Sequence, residues 1–234
     1  DDYVCSQVAG ALSDAPSIAN RICVAGERDG WLNFDQLIAD EPDTWERPAT
    51  GSPQAVTSKD IMLIYFTSGT TGNPKPVMHN YAHPLGHILT AKYWQQVREN
   101  GLHMSVTDSG WAKFGWGKIY GQWICGATIF CYDMVGRFNP ANLLRKVEKY
   151  RVTTFCVPPT MYRFMLQEDL TRFDLSSLHH CATAGEPLNP EVVKQGKEKV
   201  GKQIYEGFGQ TETTLSLANL LGDGLEPGSM GKPV

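Results

Sequence analysis

The sequence predicts an α/β fold, a mostly parallel sheet flanked by helices. Beyond residue 100, short apolar runs alternate with longer segments of helical spacing, the pattern of strands returning through crossover helices. Three of those helical segments open on a proline (Pro140, Pro159, Pro190), and proline suits a first helical turn because the N–H it lacks would have no partner there. The chain has 234 residues, 41% hydrophobic and 20% charged, enough to bury the core of one large domain or two small ones.

Residues 1–40 read as a helix, a short strand at Ile22–Ala25 and a second helix around Phe34–Ala39. From Asp40 to Ser58 hydrophobic periodicity stops, and Pro42, Pro48 and Pro53 punctuate a run of Ser, Thr and acids, the composition of a surface loop or linker. This divides the chain into a partial N-terminal subdomain with its linker, 1–58, and an α/β core, 59–234. Ile61–Phe66 is a continuous apolar run, as expected of a strand buried on both faces. A Gly/Thr/Pro loop and a short run at Pro76–His79 lead to a helical stretch over Pro84–Asn100, with Gly101 as its C-terminal cap. Strands follow at Leu102–Thr107, Thr128–Tyr132, Thr153–Val157, His179–Ala184 and Gln203–Glu206. They alternate with helices at Trp111–Cys125, Pro140–Tyr150, Pro159–Leu170 and Pro190–Val200. Ligands of such sheets bind in loops at the carboxyl ends of strands, which directs attention to 67–75, 184–187 and 206–212.

Composition narrows the function. The formal net charge is −4 and the basic residues are dispersed, so there is no electrostatic grip for nucleic acid. No apolar run approaches the ~20 residues of a membrane-spanning helix. Six cysteines (Cys5, Cys23, Cys125, Cys131, Cys156, Cys181) are scattered without a Cys-x-x-Cys pair. Four of them lie in or beside apolar runs, which points to a reducing compartment, and the expected location is cytoplasmic. The chain opens at Asp1-Asp2-Tyr3 without initiator methionine, signal or transit sequence and stops at Lys232-Pro233-Val234, so a piece of a longer protein is expected.

The loop Thr67-Ser68-Gly69-Thr70-Thr71-Gly72-Asn73-Pro74-Lys75 packs four hydroxyls, two glycines and a lysine into nine residues directly after an apolar run. Glycines let backbone N–H groups converge on an anion, hydroxyls add donors, and lysine adds a point charge. A flexible linker rarely follows a buried strand so directly. A nucleotide triphosphatase P-loop needs Gly-x-x-x-x-Gly-Lys-Ser/Thr leading straight into a helix, whereas Lys75 lies between Pro74 and Pro76. The dinucleotide pattern Gly-x-Gly-x-x-Gly is absent from this loop as well.

Two further loops stand out. In Ala184-Gly185-Glu186-Pro187-Leu188, Gly then Pro makes a stiff corner on which a flat ring could rest, and alone it is as readily a structural turn. Tyr205-Glu206-Gly207-Phe208-Gly209-Gln210-Thr211-Glu212 brings together glycines, an aromatic ring, an amide, a hydroxyl and two acids. It is either a site or a Gly-rich turn with a satisfied acid pair.

Taken together, the three loops resemble the signature of the adenylate-forming superfamily, which comprises acyl-CoA synthetases, luciferase-like enzymes and the adenylation domains of peptide synthetases. Thr67 to Lys75 matches that family's pyrophosphate-binding loop at every position it restricts. Residues 184–188 resemble its Gly-Glu-x-Leu corner, and 205–212 its Tyr-Gly-x-Thr-Glu segment, with Phe208 in place of the commoner tyrosine. The resemblance implies part of the N-terminal domain of the adenylate-forming fold, binding ATP along Thr67 to Lys75 and along Gly185, Glu186, Pro187 and Glu206 to Thr211. Within that set, Gly185, Glu186, Pro187, Glu206, Gly207 and Phe208 would cradle adenine, with Gly209 and Gln210 beside them. Thr211 would touch the α-phosphate and the acyl carboxylate, Glu212 would hold Mg²⁺, and Lys75 the leaving pyrophosphate; Thr211, Glu212 and Lys75 are the implied catalytic residues. Phe208 keeps stacking and loses a hydroxyl.

Asp108-Ser109-Gly110-Trp111 opens a segment rich in Gly and Trp. Internal helical glycines cost ~1 kcal/mol each against alanine, which close packing would justify. The rings are either core or walls of a slot for an acyl chain. With Asp29-Gly30-Trp31-Leu32, Pro158-Pro159-Thr160-Met161-Tyr162-Arg163 and Leu166-Gln167, the segment is similar to the medium-chain branch of the acyl-CoA synthetases. That resemblance implies an acyl pocket at Trp111, Phe114 and Gly209. Acetyl-specific relatives carry tryptophan where this chain has Gly209, so longer or branched acids are expected over acetate.

The implied reaction joins a carboxylic acid to ATP, giving acyl-AMP and pyrophosphate, and then passes the acyl group to coenzyme A. The family also uses a ribose-binding aspartate, a hinge, and a lysine on a C-terminal domain, none of which this chain contains, so the piece alone is expected to be inactive. A non-catalytic nucleotide-binding module and an adenylation domain serving a carrier protein are the alternatives. His79, His83 and His87 are spaced as zinc ligands on a helix would be, but Pro84 is expected to leave the first two ahead of the helix, off its face, with no metal site. His179 and His180 open a strand and point to opposite faces.

Overall fold

In a computed structural model, which describes residues 2–24, 26–68, 72–134 and 136–234, the chain divides into two units, Asp1–Ala55 and Val56–Val234. The first contains α1 (Asp2–Ala11), a two-residue parallel pair of β1 (Ile22–Cys23) and β2 (Leu32–Asn33), and α2 (Phe34–Ala39). Asn33 starts α2 by accepting the Gln36 N–H on its side-chain oxygen, at 3.0 Å.

The second unit begins with a hairpin of β3 (Ile61–Thr67) and β4 (Lys75–Asn80), antiparallel and in register from Thr67 opposite Lys75 to Leu63 opposite His79. After α3 (His83–Ile88) the chain enters β5 (Leu102–Ser105), α4 (Ala112–Phe114), α5 (Tyr120–Ile124), β6 (Thr128–Ile129), α6 (Pro140–Tyr150), β7 (Thr154–Cys156), α7 (Pro159–Met165), β8 (His180–Thr183), α8 (Pro190–Gln195), β9 (Ile204–Gly209), β10 (Leu215–Ala218) and β11 (Lys232–Pro233). The main sheet has the order β11-β10-β9-β8-β7-β5-β6; β6 through β9 pair in parallel, and β10 and β11 extend the edge antiparallel. The expected α/β class holds.

Both faces of the parallel strands are covered. Phe155 packs with Leu143, Leu144 and Val147 of α6 and with Tyr162 and Met165 of α7, while its neighbour Cys156 faces the other way, toward Trp94, Ala182 and Leu215. Each such side chain taken from water contributes about 1.5–3 kcal/mol. Asn139 and Asn189 cap α6 and α8 through their side-chain oxygens, and Pro140, Pro159 and Pro190 occupy first turns. Among the described residues no helix is long and apolar enough to cross a membrane.

Several expectations need correction. Ile61–Phe66 is not buried on both faces: within the described residues β3 pairs with β4 alone, and Ile61, Ile64 and Phe66 are exposed. The helix expected to run to Asn100 gives way to a π-helical turn at Leu89–Trp94 and stops there, and Gln96 and Asn100 then take left-handed backbone (φ 55° and 60°). The single helix over 111–125 is instead α4, a π-helical turn at Gly115–Ile119, and α5. Residues 206–209, expected in a loop, continue β9, because β10 folds back and supplies hydrogen-bond partners.

Candidate active site

Strand β8 ends at Thr183 and hands the chain to the Gly185–Pro187 corner; β9 ends at Gly209 and hands it to Gln210–Glu212. Both segments therefore leave carboxyl ends of the sheet, where α/β folds bind ligands. Glu206 sits behind the corner. Its carboxylate is buried and accepts the Leu188 N–H at 3.0 Å, and its backbone carbonyl accepts the Asn219 N–H at 3.0 Å. Burial raises its pKa and the Leu188 bond partly offsets this. The Glu206 side chain thus fixes the corner, leaving Gly207, fully enclosed, and Phe208, half-buried, on the strand beyond it. Exposed Glu186 accepts a 2.6 Å hydrogen bond from the Thr160 hydroxyl at the start of α7, which ties the corner to a second element.

Beyond β9 a tight turn forms: the Gln210 N–H donates to the Thr213 hydroxyl at 3.0 Å and the Thr213 N–H to the Gln210 carbonyl at 3.2 Å. Thr211 is half-buried and Glu212 projects outward. The phosphate-type loop lies between paired Thr67 and Lys75 at the mouth of the β3–β4 hairpin. Ser68, Gly72, Asn73, Pro74 and Lys75 are exposed there, whereas Gly69, Thr70 and Thr71 lie outside the described residues. The hairpin and the acidic turn are joined: His79 on β4 donates its Nε2–H to the Thr211 carbonyl at 2.6 Å, across 132 positions of sequence.

That bond belongs to a histidine column, and the expectation that Pro84 leaves His83 ahead of the helix needs correction: α3 opens at His83, whose ring meets that of His87 one turn on. The turn after β4, closed by the Ala82 N–H on the Asn80 side-chain oxygen at 3.0 Å, folds the strand end back onto α3. The rings of His79 and His83 stack at 3.8 Å, His83 and His87 meet Nε2 to Nε2 at 3.1 Å, and His87 Nδ1 lies 3.0 Å from the Thr90 hydroxyl. Burial, reinforced by neighbouring imidazoles, lowers the pKa of His83 to about 4 and of His87 to about 3. Among the described residues no three His, Cys, Asp or Glu side chains are placed to hold a metal.

On the acyl side, Trp111 is exposed ahead of α4, and Phe114 is half-buried with the Lys118 amine 5.5 Å from its ring centre. A Cβ on Gly121 would collide with the His87 carbonyl, so close packing does account for that helical glycine. The π-helical turn frees carbonyls that buried side chains then satisfy: Gly117 accepts from His103 Nε2–H and from Gln95, both at 3.0 Å, and Trp116 accepts from Gln122 at 3.2 Å. His103, also 2.8 Å from the Thr154 hydroxyl, is pushed down to about 4 by burial. Gly209 has a local reason of its own: a Cβ there would lie 2.6 Å from the Thr214 carbonyl where β10 folds back. Its glycine therefore does not by itself report on acyl length.

Sequence reasoning missed Lys113. Its amine is buried on α4 with no hydrogen-bond partner among the described residues. Burial lowers its pKa, against the pull of Cys156 and Glu186. The detectable signal was a pair of lysines, Lys113 and Lys118, inside a Gly- and Trp-rich segment. The four-residue spacing of His79, His83 and His87 marked the histidines, but nothing local marked the bond to Thr211, which is 132 positions away.

The donor set suits magnesium held with a nucleotide rather than in a protein cage. Mg²⁺ typically takes one or two carboxylates and completes its shell with phosphates and water, and Glu212 is a single exposed carboxylate on the turn.

A family model described as AMP-binding enzyme matches residues 4–234. The chain belongs to the AMP-binding enzyme family. It is 38% identical over 235 residues to rat (Rattus norvegicus) acyl-coenzyme A synthetase ACSM4, mitochondrial, a match that covers 100% of this chain and 39% of that protein. Human (Homo sapiens) acyl-coenzyme A synthetase ACSM3, mitochondrial, is 36% identical over 237 residues, again 100% of this chain and 39% of the relative. The crystal structure of the anthranilate CoA ligase AuaEII in complex with anthranoyl-AMP superposes with a TM-score of 0.82 at 28% identity, covering 97% of this chain and 43% of that one. The chain thus spans about two fifths of the length of the curated relatives it matches. These relatives are mitochondrial by name, which overturns the cytoplasmic location expected from the cysteines. Reduced thiols such as Cys156 and Cys181 indicate only a compartment that is not oxidising.

Proposed function

We propose that these residues form the nucleotide- and acid-binding part of an AMP-forming acyl-CoA synthetase of medium-chain type. The observation that supports this most is the His79–Thr211 bond, which joins the hairpin carrying Lys75 to the turn carrying Thr211 and Glu212. The family membership and the acyl-CoA synthetases among the relatives support the same reading.

In the first half-reaction an oxygen of the substrate carboxylate bonds to the α-phosphorus of ATP, and pyrophosphate leaves with the electrons of the broken phosphoanhydride bond. The hydroxyls and backbone of 67–74 and the Lys75 ammonium hold that leaving group. Thr211 orients the α-phosphate and the carboxylate, and the 185–187 corner with Phe208 holds the purine. Magnesium, carried with the phosphates on Glu212, would offset their charge. Little covalent work falls to the protein, so the rate comes from positioning and charge neutralisation. In the second half-reaction the coenzyme A thiolate bonds to the acyl carbon and AMP departs.

Calorimetric titration with Mg·ATP tests the assignment. Lys75→Ala and Glu212→Ala should each weaken binding about tenfold or more, the weight of a hydrogen bond to a charged group. Parent-like affinity in both variants refutes it. Because the relatives are much longer, the 234 residues by themselves should show little ATP–pyrophosphate exchange, and a robust rate would refute that. In the longer gene product medium-length or branched acids should outrun acetate; a preference for acetate removes the medium-chain part alone.

A further inference from the structure

The turn that carries Thr211 and Glu212 is exposed at its tip, and β10 holds it from one side. On the other side it meets His79. The Thr211 carbonyl can only accept, so the imidazole must carry its proton on Nε2, and the 2.6 Å separation is that of a strong hydrogen bond. His79 is buried on β4, four positions after Lys75, so Lys75 and Thr211 are linked through one short stretch of strand and one side chain.

The ring itself is held in place. It stacks on His83 at 3.8 Å and meets the edge of Tyr65 at 5.9 Å. His83 is fixed in turn by His87, and His87 by Thr90. One proton between the two facing Nε2 atoms and one between His87 Nδ1 and the Thr90 hydroxyl leave His83 and His87 neutral and hydrogen-bonded. The neutral rings of His83 and His87 stiffen His79 from behind.

We propose that His79 is a positioning residue: backed by His83 and His87, it sets the Thr211–Glu212 turn against the hairpin that carries Lys75, so that the two ends of the polyphosphate site keep a fixed spacing. The inference rests on the nucleotide assignment above. It acts on the phosphate end of the ligand and leaves the purine corner, which Glu206 and Thr160 hold, untouched.

That asymmetry supplies the test. Affinities for Mg·ATP and for adenosine are measured by calorimetry on the protein, on His79→Leu and on His79→Gln, with the thermal midpoint of each. His79→Leu should lose about tenfold in Mg·ATP affinity while adenosine changes by less than about twofold, as expected when one hydrogen bond on the phosphate side is removed. His79→Gln, whose amide N–H reaches a similar distance, should recover most of the loss. Unchanged Mg·ATP affinity in His79→Leu overturns the inference. So does an equal loss for both ligands, which marks general damage, or a glutamine variant no better than leucine. A parent protein that binds neither ligand overturns the nucleotide reading itself, and this inference with it.

Discussion

Acid should destabilise this protein through His87 by an amount that a single substitution isolates. The ring is 1% exposed, meets His83 at 3.1 Å and the Thr90 hydroxyl at 3.0 Å, and its pKa falls from 6.5 to about 3, chiefly through burial. The folded value lies below the unfolded one, so the unfolded chain takes up the proton first. Stability is therefore complete above about pH 6.5 and declines as the pH falls toward 3. At pH 5 the unfolded ring is almost wholly protonated and the folded ring almost wholly neutral. The resulting penalty relative to pH 7 is about 2 kcal/mol, and it hardly changes for any folded value well below 5. The assay is urea unfolding of the parent and of His87→Gln at pH 7, 6 and 5. His83, pushed down to about 4 by burial and by His79 rather than by His87, His103 and His180, likewise pushed down to about 4, and the carboxylates titrate in both proteins and cancel in the difference. The parent should lose about 2 kcal/mol more than the variant between pH 7 and pH 5. Parallel pH dependences would show that His87 is not held neutral by the fold, and the reasoning would fail.

Two further outcomes follow from packing. A Cβ on Gly207 would lie 2.6 Å from the Trp94 ring, so Gly207→Ala should cost about 1–3 kcal/mol of stability and weaken nucleotide binding beside Phe208. Unfolding and ATP titration of that variant, both unchanged, would refute the close approach. Lys113→Met removes a buried amine that has no partner and should raise the thermal midpoint near neutral pH. Because the folded lysine pKa is depressed, the parent gains stability as pH rises, and the advantage of methionine should shrink toward pH 10.5. A lower midpoint for the variant would mean that the amine is paired.

The sequence by itself determined the class of fold and pointed to the three loops at the carboxyl ends of the strands. β5, β7 and β8 were legible as apolar runs, α6 and α8 by their opening prolines, and the three loops as unbroken stretches that resemble the family's motifs. All of this is local, written within about ten residues. Tertiary structure decided the rest. That β3 would expose Ile64 and Phe66, that β10 would fold back and demand glycine at 209, that Lys113 would lie buried, and that the imidazole of His79 would reach Thr211 all depend on which elements become neighbours. The physical reason is that a hydrogen bond or a close approach between residues more than a hundred positions apart is set by register and crossing geometry, which local spacing does not encode.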